Sequence, residues 1–229
     1  MPVLLNGRKG APAGLAPGVA GGPLLGIYAR NDCHGWITNY AFVGAEGSFA
    51  GRLPNQRIAE IFKDYNAAAS DGVLVFLGRV PEVWSLDIRG YMEKGLDYEG
   101  NHVGVKLGVL KEDMAYPVGH IAYQLFYREG HPILAETSSY KPRAMIGMKP
   151  APGMARMIEW ATTLNLKQNG VQEISTSLTP NYRRVKQLRE VGLPICTPVK
   201  IDEWLDRIEE SMKGHSDPSI EALISAHRA

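Results

Sequence analysis

The apolar residues that follow residue 153 recur at a spacing of three and four positions, and this feature constrains the fold most. They are Met154, Met157, Ile158, Ala161 and Leu164, which together form one face of a helix. The helix is predicted to begin near Gly153 and to end at Asn169-Gly170. Residues 131–140 before it and 171–178 after it have the patterns of strands. A strand, a helix and a strand in this order favour a layered fold in which the helix covers a sheet.

Further elements extend this unit in both directions. Residues 102–110 and 119–128 have the composition of strands, and turn residues separate these runs, so antiparallel hairpins are predicted. A second helix is predicted over residues 181–192, and residues 194–201 return to a strand pattern. The predicted fold class is therefore α/β (α+β), with a mixed, mostly antiparallel central sheet flanked by helices.

Composition divides the chain into four parts. Residues 1–26 are rich in Gly, Ala and Pro and are predicted to form a flexible arm. Residues 27–71 are predicted to form an N-terminal extension, residues 72–201 the main domain and residues 202–229 a set of C-terminal helices. The arm and the last helices are each open to two interpretations, because either can pack on its own chain or contact a protein partner.

Charge and composition argue against several classes of function. The 25 Lys and Arg residues nearly balance the 24 Asp and Glu residues, and the net charge of +1 argues against nucleic acid as a partner. No apolar run approaches the roughly 20 residues that span a bilayer, so no membrane partner is predicted. The two cysteines and the scattered histidines lack the spacing of a metal site. A metal-free protein of the cytoplasm is predicted.

The predicted second helix carries the most specific motif in the sequence. Asn181 opens it, and the pair Gly192-Leu193 follows eleven and twelve residues later. Together with the order of elements, this spacing resembles the GNAT superfamily of N-acetyltransferases, in which the pair is commonly Gly-Phe. The resemblance covers about residues 72–201 and is strongest over residues 131–193.

This resemblance implies a site for acetyl-CoA. In the family, the strand before the first helix splays from the strand after it, and its unpaired backbone receives the pantetheine arm as it would an added strand. The CoA pyrophosphate meets free backbone N–H groups where the first helix begins. The residues that the resemblance assigns to CoA are Thr137, Ser138, Lys149, Gly153, Met154, Ala155 and Asn181.

Two positions depart from the family pattern. The loop over residues 143–155 reads RAMIGMKPAPGMA where members usually have an arginine followed by a glycine-rich run. Pro150 and Pro152 have no backbone N–H to donate to a phosphate. Leu188 stands where many members have a tyrosine that protonates the departing thiolate.

Two functions are consistent with these residues. The first is acyl transfer from acetyl-CoA to an amine acceptor, with Glu136 as the general base and Glu173 as the second candidate for that role. The second is a non-catalytic structural or assembly protein, because the family includes inactive members, among them tailed-phage gene products that accompany virion assembly. Asn181 and the order of elements favour acyl transfer, with the cytoplasm as the expected location. The atypical loop and Leu188 favour assembly, with the virion as the alternative location.

Overall fold

The structure is a computed structural model. It describes residues 23–31, 35–49, 58–59, 72–80, 115–141, 153–177, 182–213, 221 and 224–225. The predicted strand 102–110, residues 1–22 of the predicted arm, Lys149 and Asn181 lie outside the described residues.

Seven strands and three α-helices make up most of the described part of the chain. The strands are β1 (Leu24–Asn31), β2 (Trp36–Gly44), β3 (Val73–Arg79), β4 (Tyr116–Arg128), β5 (His131–Lys141), β6 (Glu173–Thr176) and β7 (Val199–Lys200). The helices are α1 (Met154–Gln168), α2 (Tyr182–Glu190) and α3 (Ile201–Lys213), and a one-turn 3-10 helix spans Glu46–Phe49.

The described strands form one sheet in the order β3-β1-β2-β4-β5-β6-β7. Strands β5 and β6 pair in parallel, and every other pair of neighbours is antiparallel. The two residues Glu129-Gly130 connect β4 to β5 as a hairpin, as their turn chemistry predicts. The predicted class, a mixed and mostly antiparallel sheet with helices, is confirmed.

The position of β2 differs from the order expected along the chain. Sequence order predicts residues 102–110 as a neighbour of β4, yet β4 pairs with residues 36–43 of β2. Residues 40–43 are buried on both faces of the sheet, which favours an inner position for β2. The sheet consequently continues across the predicted boundary between residues 71 and 72.

The last predicted strand is much shorter than its pattern indicates. Of residues 194–201, only Val199 and Lys200 pair, and they do so with β6. Cys196 has a φ of 56°, which interrupts extended backbone. Ile201 already belongs to α3, so β7 leads into that helix without a connecting loop.

Helix α1 covers one face of the sheet. The hydroxyls of Tyr123 on β4 and Thr162 on α1 are 2.9 Å apart. The rings of Phe76 on β3 and Trp160 on α1 meet edge to face, with centroids 5.8 Å apart. Helix α3 packs beside α1, where the Trp160 indole donates a 2.9 Å hydrogen bond to the buried carboxylate of Glu209. Helix α3, which contains the first of the predicted C-terminal helices, therefore packs on its own chain.

Helix α1 ends at a glycine, as predicted. Gly170 has a φ of 90°, and its N–H donates to the carbonyl of Lys167 at 2.9 Å. The N–H of Val171 donates to the carbonyl of Leu166 at 3.1 Å. These two bonds define a Schellman motif, and the buried side chains of Leu166 and Val171 supply its hydrophobic residues.

We expect Gly170→Ala to lower the free energy of unfolding by about 1–2 kcal/mol, because an L-residue with a Cβ is strained at this φ. A Cβ at Gly170 would meet no atom within 4 Å, so the loss comes from the backbone alone. Urea denaturation measures it. Gly47→Ala serves as the control. It also adds a methyl group in open space, but the φ of Gly47 is not positive, so no backbone strain is expected. Equal losses in the two variants would contradict the backbone explanation.

Candidate functional site

The described pairing between β5 and β6 covers only part of β5. Their parallel pairing covers four positions and ends where Thr137 lies opposite Thr176. Ser177 follows, and its N–H and hydroxyl both donate to the carbonyl of Thr137, at 3.1 and 2.7 Å. Strand β6 has then ended, whereas β5 continues through residues 138–141. These four residues extend beyond the described pairing with β6.

A β-bulge in β5 marks the same point. Ala122 of β4 lies opposite Ser139. The next residue, Tyr123, lies opposite Thr137, so Ser138 is an extra residue in the ladder. An extra residue of this kind bends its strand and increases the local twist. The bulge therefore lies where the described pairing of β5 with β6 ends, at two of the positions that the resemblance assigns to CoA.

Thr137 carries a buried hydroxyl at this point. Its side chain is 6% exposed, and Oγ1 has no hydrogen-bond partner among the described residues. The hydroxyl of the neighbouring Thr176, by contrast, accepts the N–H of Cys196 at 3.3 Å. A buried hydroxyl without a partner is unfavourable. A polar group of a ligand would satisfy the Thr137 hydroxyl.

The start of α1 suits an anion. Gly153 is the N-cap residue, with a φ of 82°, and it makes no side-chain capping bond. No acidic residue lies in the first turn. Met154 is buried and Ala155 is half-buried. Because the first N–H groups of a helix lack partners within the helix and carry partial positive charge, this end favours negative groups.

Glu136 lies one residue before Thr137, the last residue of β5 with a described partner in β6. It is half-buried, and it lies opposite Gln124 of β4 and Ser175 of β6. An open cleft between Glu136 and Ser175 would support an enzyme, but these two residues are paired, so the structure does not supply that support. Gln124 follows Tyr123, whose side chain meets α1, so Gln124 and Glu136 occupy the opposite face of the sheet.

Helix α2 ends in the Gly-Leu pair that carries the resemblance. Gly192 has a φ of 72°, and its N–H donates to the carbonyl of Arg189 at 3.0 Å. The N–H of Leu193 donates to the carbonyl of Leu188 at 2.9 Å, which completes a second Schellman motif. Leu188 is 1% exposed and Leu193 is also buried. The pair therefore ends the helix, and Leu188, the position at which the resemblance implies a tyrosine, packs in the core.

A buried ion pair that sequence reasoning missed joins α1 to α2. Arg184 donates two hydrogen bonds to the carboxylate of Glu159, at 2.8 and 2.5 Å, and the two side chains are 5% and 6% exposed. The sequence predicts Arg184 on a solvated basic face together with Lys186. That prediction is wrong for Arg184, whereas Lys186 is exposed and lies 3.8 Å from Glu190.

Tyr123 connects this cluster to the sheet. Burial raises the pKa of Tyr123, and the negative charge of Glu159 raises it further. Its hydroxyl therefore stays protonated at neutral pH and donates to Thr162, whose own hydroxyl donates to the carbonyl of Glu159 at 3.0 Å. These contacts give Tyr123 a structural role between β4 and α1.

The rest of the described chain offers few other chemical centres. Among the described residues, no group of three His, Cys, Asp or Glu side chains can hold a metal ion. None of the described helices is long and apolar enough to cross a bilayer. Cys196 is an exposed free thiol, and Cys33 lies outside the described residues. Glu173, the second candidate for the base, forms an ion pair with Lys200 at 2.6 Å.

The described residues thus define an α+β protein whose one parallel strand pair is connected through α1 and whose described pairing ends at a bulge. A comparison of the chain with protein-family models, with curated proteins and with solved structures finds no match. Its function is therefore inferred from the geometry of the site.

Proposed function

We propose that this chain is an acyl-CoA-dependent N-acyltransferase of the GNAT type. The observation that carries the proposal is the end of the described pairing between β5 and β6 at Thr137, where β5 bulges and continues. The backbone of residues 138–141 can accept an extended ligand along this edge as it would an added strand. The next described element along the chain is α1, whose uncapped start at Gly153 suits the phosphates of CoA.

Acetyl-CoA, when bound, supplies the carbonyl that an amine attacks, so that a C–N bond forms, the C–S bond breaks and CoA leaves as the thiol. Glu136 accepts the proton of the amine, directly or through a water, because it is half-buried and adjacent to Thr137, where the described pairing ends. The Thr137 hydroxyl offers a hydrogen bond on the other face of the same strand. Leu188 has no proton to give, so the leaving sulfur takes its proton from solvent.

A non-catalytic assembly protein is the second candidate. Leu188 favours it, because a leucine buried in the core cannot protonate the departing thiolate. Such a protein would retain the sheet and α1 without binding an acyl-CoA. The two candidates therefore differ in whether they bind acetyl-CoA, which can be measured directly.

Calorimetric titration with acetyl-CoA tests the proposal, with the variants Gly153→Asp and Gly153→Asn. Wild-type protein is expected to bind one acetyl-CoA per chain. Asp and Asn both tolerate a positive φ, but only Asp adds a negative charge at the helix start. We expect Gly153→Asp to weaken binding by about tenfold relative to Gly153→Asn.

Two results would count against this proposal. If wild-type protein binds no acetyl-CoA at millimolar concentrations, the transferase is excluded and the assembly protein is favoured. If Gly153→Asp and Gly153→Asn bind equally well, the phosphates do not lie at the start of α1.

A further inference from the structure

Arg30 is a buried arginine for which the described residues provide no anion. Its side chain is 5% exposed, and neither Nε nor Nη1 has a hydrogen-bond partner among the described residues. A guanidinium presents five N–H donors and is charged at every physiological pH. Burying such a group without a partner is unfavourable, and buried charges are normally paired. The position therefore suits an anion that a ligand brings.

The strand ladder places Arg30 on the same face of the sheet as Glu136. Arg30 of β1 lies opposite Thr38 of β2, and Thr38 lies opposite Ala122 of β4. Two residues further along β4, Gln124 lies opposite Glu136 of β5. Residues two apart in a strand share a face. Arg30 and the proposed general base thus both face away from α1.

The distance between Arg30 and Glu136 limits the length of a ligand that can contact both residues. Strands β1 and β5 are three strand spacings apart, about 14 Å, and the step of two residues along β4 adds about 7 Å in the strand direction. The backbones of Arg30 and Glu136 are therefore about 16 Å apart. The intervening positions Thr38, Ala122 and Gln124 are uncharged. None of these three positions therefore supplies a negative charge that would replace an anionic ligand at the guanidinium.

We propose that Arg30 binds the anionic group of the acceptor, which is an amine with a carboxylate or a phosphate at the far end of a spacer of several carbons. This inference rests on acyl transfer at Glu136 as the proposed function. A guanidinium pairs with either anion through two parallel hydrogen bonds. Strand side chains stand roughly perpendicular to their sheet, so we expect the charged ends of Arg30 and Glu136 to be separated by about the distance between their backbones. An α-amino acid, in which the amine and the carboxylate share one carbon, is too short to reach both.

The experiment follows thiol release from acetyl-CoA with four acceptors. They are an ω-amino carboxylate, its methyl ester, an ω-amino alkyl phosphate of the same length, and an α-amino acid. Wild-type protein is expected to prefer one of the two long anionic amines to the ester. Arg30→Gln is expected to raise KM for that amine by about tenfold or more and to leave KM for the ester unchanged. Arg128→Gln removes the same charge at an exposed position and is expected to change neither KM.

Thermal unfolding with the ω-amino carboxylate alone, and with inorganic phosphate, tests Arg30 without acyl transfer. We expect at least one of these anions to raise the Tm of wild-type protein and not that of Arg30→Gln. This measurement stands even if acetyl-CoA does not bind, so a failure of the transferase proposal is distinguished from a failure at Arg30. If Arg30→Gln does not fold, Arg30→Lys replaces it, since lysine keeps the charge and loses the paired donors.

Three results would overturn the role of Arg30. One is an equal rise in Tm for wild type and variant with each anion. Another is a wild-type protein that acetylates the ester as readily as both long anionic amines. The third is a preference for the α-amino acid, because its amine and anion cannot reach Glu136 and Arg30 together.

Discussion

Arg184→Met is expected to lower the free energy of unfolding by about 3–5 kcal/mol, because it leaves the buried carboxylate of Glu159 without its cation. The side chain of methionine is apolar and unbranched, so it retains packing while it removes both hydrogen bonds. The two bonds, at 2.8 and 2.5 Å, connect α1 to α2. Urea denaturation followed by the fluorescence of the buried Trp160 and Trp204 measures the loss.

The control for this prediction is an ion pair that solvent reaches. Lys200 and Glu173 are 2.6 Å apart, but their side chains are 69% and 38% exposed. Lys200→Met is therefore expected to change the free energy of unfolding by less than about 1 kcal/mol. The double variant Glu159→Leu with Arg184→Met removes both charges and should lose less than Arg184→Met alone. A loss for Arg184→Met no larger than that for Lys200→Met would show that the pair does not stabilise α2.

Glu136→Gln is expected to lower the rate of acyl transfer by about 10²–10⁴-fold, because glutamine has the shape of glutamate and accepts no proton. The binding of acetyl-CoA should be unchanged, since the substituted side chain lies on the face of the sheet opposite Thr137 and α1. The rate is measured by thiol release at saturating acetyl-CoA, and binding by calorimetry.

Glu173→Gln is the matched control for the general base. Glu173 lies on the neighbouring strand β6, and its ion pair with Lys200 occupies its carboxylate. We expect less than a threefold change in the rate for this variant, which corresponds to about 0.6 kcal/mol. If Glu173→Gln loses the larger factor, the general base is Glu173. If neither variant loses activity, proton removal does not depend on a carboxylate of this strand pair.

The predictability of the site varies from residue to residue. The positions of Thr137 near the end of the described strand pairing and of Gly153 at the start of α1 follow from local order along the chain. Their assignment to CoA stays a prediction. The residue at which the described pairing of β5 with β6 ends could not be predicted from the sequence. It coincides with a bulge that depends on the register between β4 and β5. The sequence did not mark Arg30 as a site residue. The apolar residues before it predict a strand, and no motif includes the arginine.

The sequence by itself determined the local structure of this protein. Spacing of apolar residues predicts α1, and Gly170 and Gly192 end α1 and α2 because glycine adopts a positive φ without strain. The turn at Glu129-Gly130 was likewise evident from two residues. Only the tertiary structure decided that β2 lies beside β4, and that Arg184 is buried against Glu159. Such contacts join residues far apart in the chain, and their stability depends on burial and partner geometry, which no local pattern specifies.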